Sequence, residues 1–332
     1  MNTNARTRSI GGIAMQYPVM LGAGVCKRVP DLHDFLRDDI PVGARVLGSI
    51  EPEPSEGNSG TLFYPESYND FLREKVAVNS FGMPNDGYDE TVRKLMFIDP
   101  KWNIIVSVAA KTPAGFVDGV KKFDAHPNTV GTKANLSCPN KKDQPIPIAY
   151  DYGFVEEICE GIAAVGVEKP VWFKMPPPIT PDVKAMLQRH YPHIDFSATP
   201  TIPYEQLVRI LHLIGRYPFI KAIVQGNTIG SVIIKGTNGK PVTTPNGGRA
   251  GLSGPILKKI ALDFLKRERR ILPRVTSIIA QGGAVSGDDA ADYLEVADAV
   301  GAVTGPFFQG ARFFSDLLRS DRLVNRLTHD NP

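Results

Sequence analysis

The sequence predicts an α/β fold, a (β/α)8 (TIM) barrel with an N-terminal β-hairpin, and three observations carry that reading. Eight short runs rich in β-branched and apolar residues recur along the chain, and helix-like stretches fall between most of them, the alternation of parallel βα units. The length, 332 residues, lies in the range where such barrels are single domains, so one domain is expected over 1–332. Breaker-rich loops follow several of the strand runs, at the end where barrels place their ligand contacts.

The elements follow in order. Residues 6–16, with Gly11-Gly12 in the middle, read as a hairpin that would plug the N-terminal face of a barrel. The strand runs are 18–23, 44–50, 103–110, 129–136, 171–175, 220–227, 277–281 and 299–304. Amphipathic stretches at 29–36, 88–96, 154–164, 204–214, 256–266 and 288–295 supply helices. Loops are expected at 51–60, 139–147, 193–203 and 236–254. The 193–203 segment interrupts a βα crossover rather than following a strand, and reads as an elaboration. No internal sequence repeat accompanies the alternation.

Composition narrows the function classes. A net charge of +3 argues against nucleic acid or a membrane surface as partner. Three cysteines, Cys26, Cys138 and Cys159, form no CxxC pair, which offers neither a disulfide framework nor a metal site and suits a reducing, cytosolic setting. No run approaches the ~18 apolar residues of a membrane span, and the N-terminus lacks the apolar core of a signal peptide, so a soluble protein is expected.

The chain is organised around Asn135-Leu136-Ser137-Cys138-Pro139-Asn140, which closes the fourth strand run. Pro139 cannot donate to a ladder, so the strand should end where the thiol sits. Two amides and a hydroxyl flank Cys138, and these groups can hold a planar polar ligand. Read alone, the cysteine is equally a small buried hydrophobe.

Other strand ends carry chemistry too. Leu21-Gly22-Ala23-Gly24 ends the first run with small residues that let backbone approach a flat ligand. Asn79-Ser80-Phe81-Gly82-Met83-Pro84-Asn85 is a polar and apolar cluster ahead of a helix. Lys174 closes the apolar run Val171-Trp172-Phe173, where an ammonium must reach a polar ligand or water. Asn227-Thr228 ends the sixth run. Late glycines gather at Gly247-Gly248 and Gly251, at Gln281-Gly282-Gly283, and at Thr304-Gly305 on the eighth run. Barrels bind phosphate with loops after strands seven and eight, so these glycines point to a phosphate site; no GxGxxG opens a Rossmann unit.

Together these motifs resemble the dihydroorotate dehydrogenase family in its soluble class 1, 1A-like form, in the family's order from about Pro18 to Gly305. The resemblance implies an FMN-binding barrel, usually a homodimer, that oxidises a 5,6-dihydropyrimidine in pyrimidine biosynthesis. It implies that Cys138 takes a proton from C5 while a hydride leaves C6 for flavin N5. Lys174 would support the N1/O2 side of the flavin. Asn79, Phe81, Gly82, Met83, Asn135, Asn140, Asn227 and Thr228 would hold the substrate. Ala23, Gly24, Asn79, Asn135, Lys174, Asn227, Gly251, Gly282, Gly283, Thr304 and Gly305 would hold FMN. A soluble acceptor, fumarate in class 1A, would reoxidise it. Lys141 and Lys142 stand beside the thiol, where two cations favour thiolate or are simply solvated.

The sequence departs from the family at one telling place. Where members carry Thr-Lys-Ser or Ser-Lys-Ser, with a lysine for the orotate carboxylate, this chain has Leu47-Gly48-Ser49. The absent cation is worth roughly 1.5–3 kcal/mol. Arg249 is a candidate replacement. Phe81 stands for the family's Met, and Thr304-Gly305 reverses its Gly-Thr. Gly48 thereby favours an alternative, an FMN oxidoreductase of the same family acting on another dihydropyrimidine or ene-amide. A third reading, a barrel that binds a phosphate-bearing ligand without redox chemistry, predicts colourless protein.

Overall fold

A computed structural model describes residues 7–137 and 147–329. Cys138, Asn140, Lys141 and Lys142 lie outside the described residues. All eight predicted strands are present, as Val19–Leu21, Ala44–Ile50, Ile104–Val108, Gly131–Asn135, Val171–Met175, Ile220–Gln225, Ser277–Gln281 and Ala299–Ala302, and they close into one parallel barrel in chain order. Each is buried on both faces, which explains why they read as continuous apolar runs rather than alternating ones.

Two apolar layers hold the barrel. Inside it, Met20, Val46, Ile105, Trp172, Val224 and Ile279 pack with Ile10, Ile13 and Met15 of the hairpin Arg8–Ile10/Ile13–Met15. The hairpin closes the N-terminal end as the sequence predicts: the Trp172 indole donates to the Gly11 carbonyl at 2.8 Å, and the Gly11 amide donates to the Ser277 hydroxyl at 2.8 Å. Gly11 is required there, because its φ is +56° and a Cβ would lie 2.6 Å from the indole nitrogen. Outside the strands, a second layer seats the helices, with Phe116, Phe123, Ile158, Leu207, Phe264 and Phe313 among its members.

The predicted helices appear as Tyr88–Leu95, Tyr152–Val165, Tyr204–Ile214, Ile256–Ile271 and Gly287–Tyr293, while the stretch at 29–36 forms a 3-10 helix, Val29–Phe35. Among the helices that escaped the sequence reading are Pro113–Asp124 and Pro181–His190. Each begins with a threonine cap, Thr112 or Thr180, followed by proline at the first helical position, a start signal that was available.

The loops are more ordered than the sequence suggests. A five-stranded sheet runs in the order Ile194–Asp195, Ile229–Ile234, Ala250–Ser253, Ala77–Asn79 and Phe63–Tyr64, and draws on segments read as loops at 193–203 and 236–254. Its own core, Val78, Phe196, Ile229, Val232 and Leu252, also receives Leu187 and Leu257. Strands of two to six residues give too little alternation to be seen in sequence; pairing in the folded chain makes them. The eighth barrel strand ends earlier than expected, at Ala302, so Thr304 and Gly305 open the short helix Thr304–Gln309. Among the described residues no helix is long and apolar enough to cross a membrane.

Candidate active site

The C-terminal ends of the barrel strands and the edge of the five-stranded sheet border a cleft that opens to solvent. Its floor is set by strand register. Asn135, the last residue of the fourth strand, and Lys174, the last but one of the fifth, are direct partners, and both side chains line the cleft. The Asn135 amide donates to the Ser49 hydroxyl at 2.8 Å, and Ser49 in turn shares a 2.8 Å hydrogen bond with Ser107. That chain fixes the amide of a buried side chain in one orientation.

Asn227 stands across from them. Its Nδ2 donates to the Ser137 carbonyl at 3.0 Å and to the Ser137 hydroxyl at 2.6 Å, while its Oδ1 accepts from the Thr228 amide. Asn135 also accepts from the Ser137 amide, at 3.4 Å. The last described residue before Cys138 is therefore tied to both asparagines. The chain's two other thiols are elsewhere: Cys26 and Cys159 are buried, and burial pushes both away from thiolate formation.

The roof comes from the five-stranded sheet, where Asn79 pairs with Gly251 and Phe63, and Ser253 pairs with Ala77. Asn79 and Ser253 line the cleft beside Phe63, Phe81, Met83 and Phe307. Phe63 and Phe81 stack at 5.9 Å, and Phe307 tilts against Phe63 at 4.4 Å, forming an aromatic wall.

The remaining wall is glycine-rich. Ala23, Gly24, Gly282, Gly283, Gly301 and Thr304 line it with buried Gln281. Gly283 lies on the first turn of the sixteen-residue helix Ile256–Ile271: its φ is +80°, and a Cβ would fall 2.8 Å from the Lys258 amide nitrogen and 3.1 Å from the Gly254 carbonyl. A side chain would fill this cradle, where the positive end of a helix favours an anion.

The cleft thus gathers Ala23, Gly24, Asn79, Phe81, Met83, Asn135, Lys174, Asn227, Thr228, Gly282, Gly283 and Thr304. Three expected residues are not among those lining it. Gly82, with φ +73°, sits where a Cβ would meet Asn58 at 2.7 Å, so it packs under a neighbouring loop. Gly251 is spent on the strand pair with Asn79. Gly305 is small because a Cβ would lie 2.1 Å from the Phe313 ring, a packing reason rather than a ligand one. Arg249 is exposed and outside the lining. Lys27, Ser253, Leu257, Val303 and Phe307 line the cleft without having stood out in the sequence; only the lysine, three residues past the Gly24 turn, offered a chemical signal.

A family model described as dihydroorotate dehydrogenase matches residues 6–323, nearly the whole chain. The chain belongs to the dihydroorotate dehydrogenase family. Among its relatives, the catalytic subunit of dihydroorotate dehydrogenase B (NAD(+)) from Alkaliphilus metalliredigens is 26% identical over 308 residues, covering 90% of this chain and 85% of the relative. A putative dihydroorotate dehydrogenase A (fumarate) from Solibacter usitatus is 25% identical over 288 residues, 86% and 82% of the two chains. The crystal structure of Eimeria tenella DHODH in complex with ferulenol matches with a TM-score of 0.70 at 18% identity, over 97% of this chain and 84% of that one, and shares the barrel fold. As a member of the dihydroorotate dehydrogenase family, the chain is an oxidoreductase acting on CH–CH bonds.

Proposed function

We propose that this protein oxidises dihydroorotate to orotate with FMN, in the cytosol, as a step of pyrimidine biosynthesis. The observation that carries the reading is the gathering of Asn79, Asn135, Lys174 and Asn227 in one cleft with the Gly282-Gly283 cradle at a helix N-terminus. The residues fit FMN: the cradle suits a phosphate, and Ala23, Gly24 and Lys174 leave room and charge for a flat ring. When bound, FMN accepts the hydride that leaves substrate C6.

The chain's own groups do the rest. Cys138 takes the C5 proton; the residue before it in sequence, Ser137, is held by Asn135 and Asn227. A thiol base needs the right approach to carbon as much as a suitable pKa. Lys174 places a cation at the edge of the ring where negative charge develops. Asn79, Asn135, Asn140, Asn227 and Thr228 hold the substrate's amides, with Phe81 and Met83 closing over it. Asn79, Asn135 and Asn227 also contact the flavin. A soluble acceptor removes the electrons, fumarate for a 1A-like enzyme, and the active species is a homodimer.

Gly48 supports a second reading, the same chemistry on a different dihydropyrimidine or ene-amide. Anaerobic titration separates the two. Purified yellow protein bleached by dihydroorotate, then reoxidised by fumarate, meets the first reading; yellow protein that dihydroorotate leaves oxidised meets the second. Colourless protein that takes up no FMN overturns both.

A further inference from the structure

Below the floor of the cleft the barrel holds a lysine that the site itself does not use. Side chains alternate across a strand, so Lys133, two residues before Asn135 on Gly131–Asn135, turns to the same inner face as that cleft residue, one layer deeper. Its register partners are Ser107 on the third strand and Trp172 on the fifth. Lys133 is wholly buried, and its side-chain nitrogen has no hydrogen-bond partner among the described residues.

An amine left unpaired in a barrel core is costly, and far more so when it carries charge. Of the side chains that the neighbouring strands turn inward, Ile105 and Ser107 on one side and Trp172 and Lys174 on the other, only Lys174 is ionisable, and it is a cation too. Around Trp172 the interior is lined by Met15, Val46, Val224 and Ile279. Burial, then Lys174, lowers the Lys133 pKa well below 10.5, because nothing in this layer favours the ammonium.

A negative charge in the cleft above would favour it. Ser49 lines the cleft, its hydroxyl shares a 2.8 Å hydrogen bond with that of Ser107, and Ser107 is the strand partner of Lys133, so hydroxyls lead from the cleft down to the layer of the lysine. A hydride carries two electrons and one proton, so its delivery to a bound flavin leaves one negative charge in the cleft, where Asn135 and Lys174 stand. Across a core of low dielectric, a group one layer below feels that charge strongly.

We propose that Lys133 is the charge-compensating group of the flavin site: its amine takes up one proton from water when the substrate's hydride reduces the flavin, and returns that proton to water when the acceptor removes the two electrons. The proposal rests on the dehydrogenase reading and gives a residue outside the cleft a part in the reaction. Lys133 acts through the electric field and touches neither substrate nor flavin.

The test uses the FMN holoenzyme and reads the midpoint potential of its flavin, by equilibration with redox dyes, from about pH 5 to 9. Lys133→Met keeps much of the volume and removes the amine. At the acid end the wild-type potential should lie above that of Lys133→Met by about 30 mV or more, a tenfold or greater preference for reduced over oxidised flavin. The two curves should meet at the alkaline end, where Lys133 is neutral in both redox states. Lys133→Gln, polar but unable to take a proton, should follow Lys133→Met. Wild-type and Lys133→Met curves that coincide throughout, or that stay a constant distance apart, overturn the proposal, and so does a Lys133→Gln curve that follows wild type. Wild-type protein that takes up no FMN overturns the dehydrogenase reading instead, and this proposal with it.

Discussion

Asn227 holds Ser137 by two hydrogen bonds, 3.0 Å to its carbonyl and 2.6 Å to its hydroxyl, across the mouth of the barrel. The sixth strand thereby sets the position of the residue that precedes Cys138. Removing the hydroxyl alone, in Ser137→Ala, deletes one bond worth about 0.5–1.5 kcal/mol. Anaerobic flavin reduction by dihydroorotate should slow up to about tenfold while flavin content stays unchanged. Asn227→Ala, which also abandons the carbonyl, should slow it further. A Ser137→Ala enzyme reduced at the wild-type rate would show that the bond does not position the base.

The glycine cradle and Gly305 separate by phenotype. Gly283→Ala pushes a Cβ against the Lys258 amide and should weaken FMN binding tenfold or more, roughly 1.4 kcal/mol, read by flavin fluorescence on titration. Gly305→Ala drives a Cβ toward Phe313 and should lower the melting temperature of the apoprotein instead. Equal loss of flavin affinity in both variants would contradict the division between ligand and packing roles.

The barrel was legible because its eight strands are buried on both faces and so appear as apolar runs whatever surrounds them. Asn135, Lys174 and Gly282-Gly283 were legible because polar or glycine residues interrupt those runs at their ends. The roof was not. Asn79 belongs to a strand of three residues whose partner, Ala250–Ser253, lies 172 positions away at the Asn79–Gly251 pair, and no local pattern announces such a pairing. Lys27 was hidden for a related reason. Its place in the cleft goes with Gly48 hydrogen bonding to Cys26, a link between two strands that only the closed barrel brings together.

Two buried groups should give stability opposite dependences on pH. Glu268 is fully buried with neither oxygen partnered among the described residues, and burial pushes its carboxyl up to about 8 from an ordinary 4.5, against the pull of Arg269. Between those values the folded chain holds a proton that the unfolded chain has released, so its contribution to stability falls as pH rises through that window. Lys133 is also fully buried, beside Ser107 and Trp172 in strand register, with its ammonium unpartnered among the described residues. Burial, then the nearby Lys174, lowers its pKa well below 10.5, so the unfolded chain binds the extra proton and stability rises with pH. Melting curves from about pH 5 to 9 test this: Glu268→Gln should lose the downward component and Lys133→Met the upward one. Variants whose slopes equal that of wild type would refute the assignments.

Gly11→Ala places a Cβ 2.6 Å from the Trp172 indole nitrogen at a positive φ. The cost should be about 2–4 kcal/mol, a fall of roughly 3–6 °C in melting temperature for a chain of this length. Flavin content and reduction rate at low temperature should be retained, since the hairpin caps the end of the barrel away from the cleft. Loss of flavin with the fold intact would count against that separation.

The pairing of the roof strands limits how the cleft can change over time. Side chains alternate from one face of a strand to the other, so one residue gained or lost within Ala250–Ser253 would exchange the Ser253 hydroxyl for the buried side chain of Leu252 and unseat the sheet from its core. Exchanges at Asn79 and Ser253 carry no such penalty, and length differences are tolerated only in the connecting turns. Diversification of this roof therefore proceeds by replacing residues in place, with insertions and deletions confined to the joints between strands.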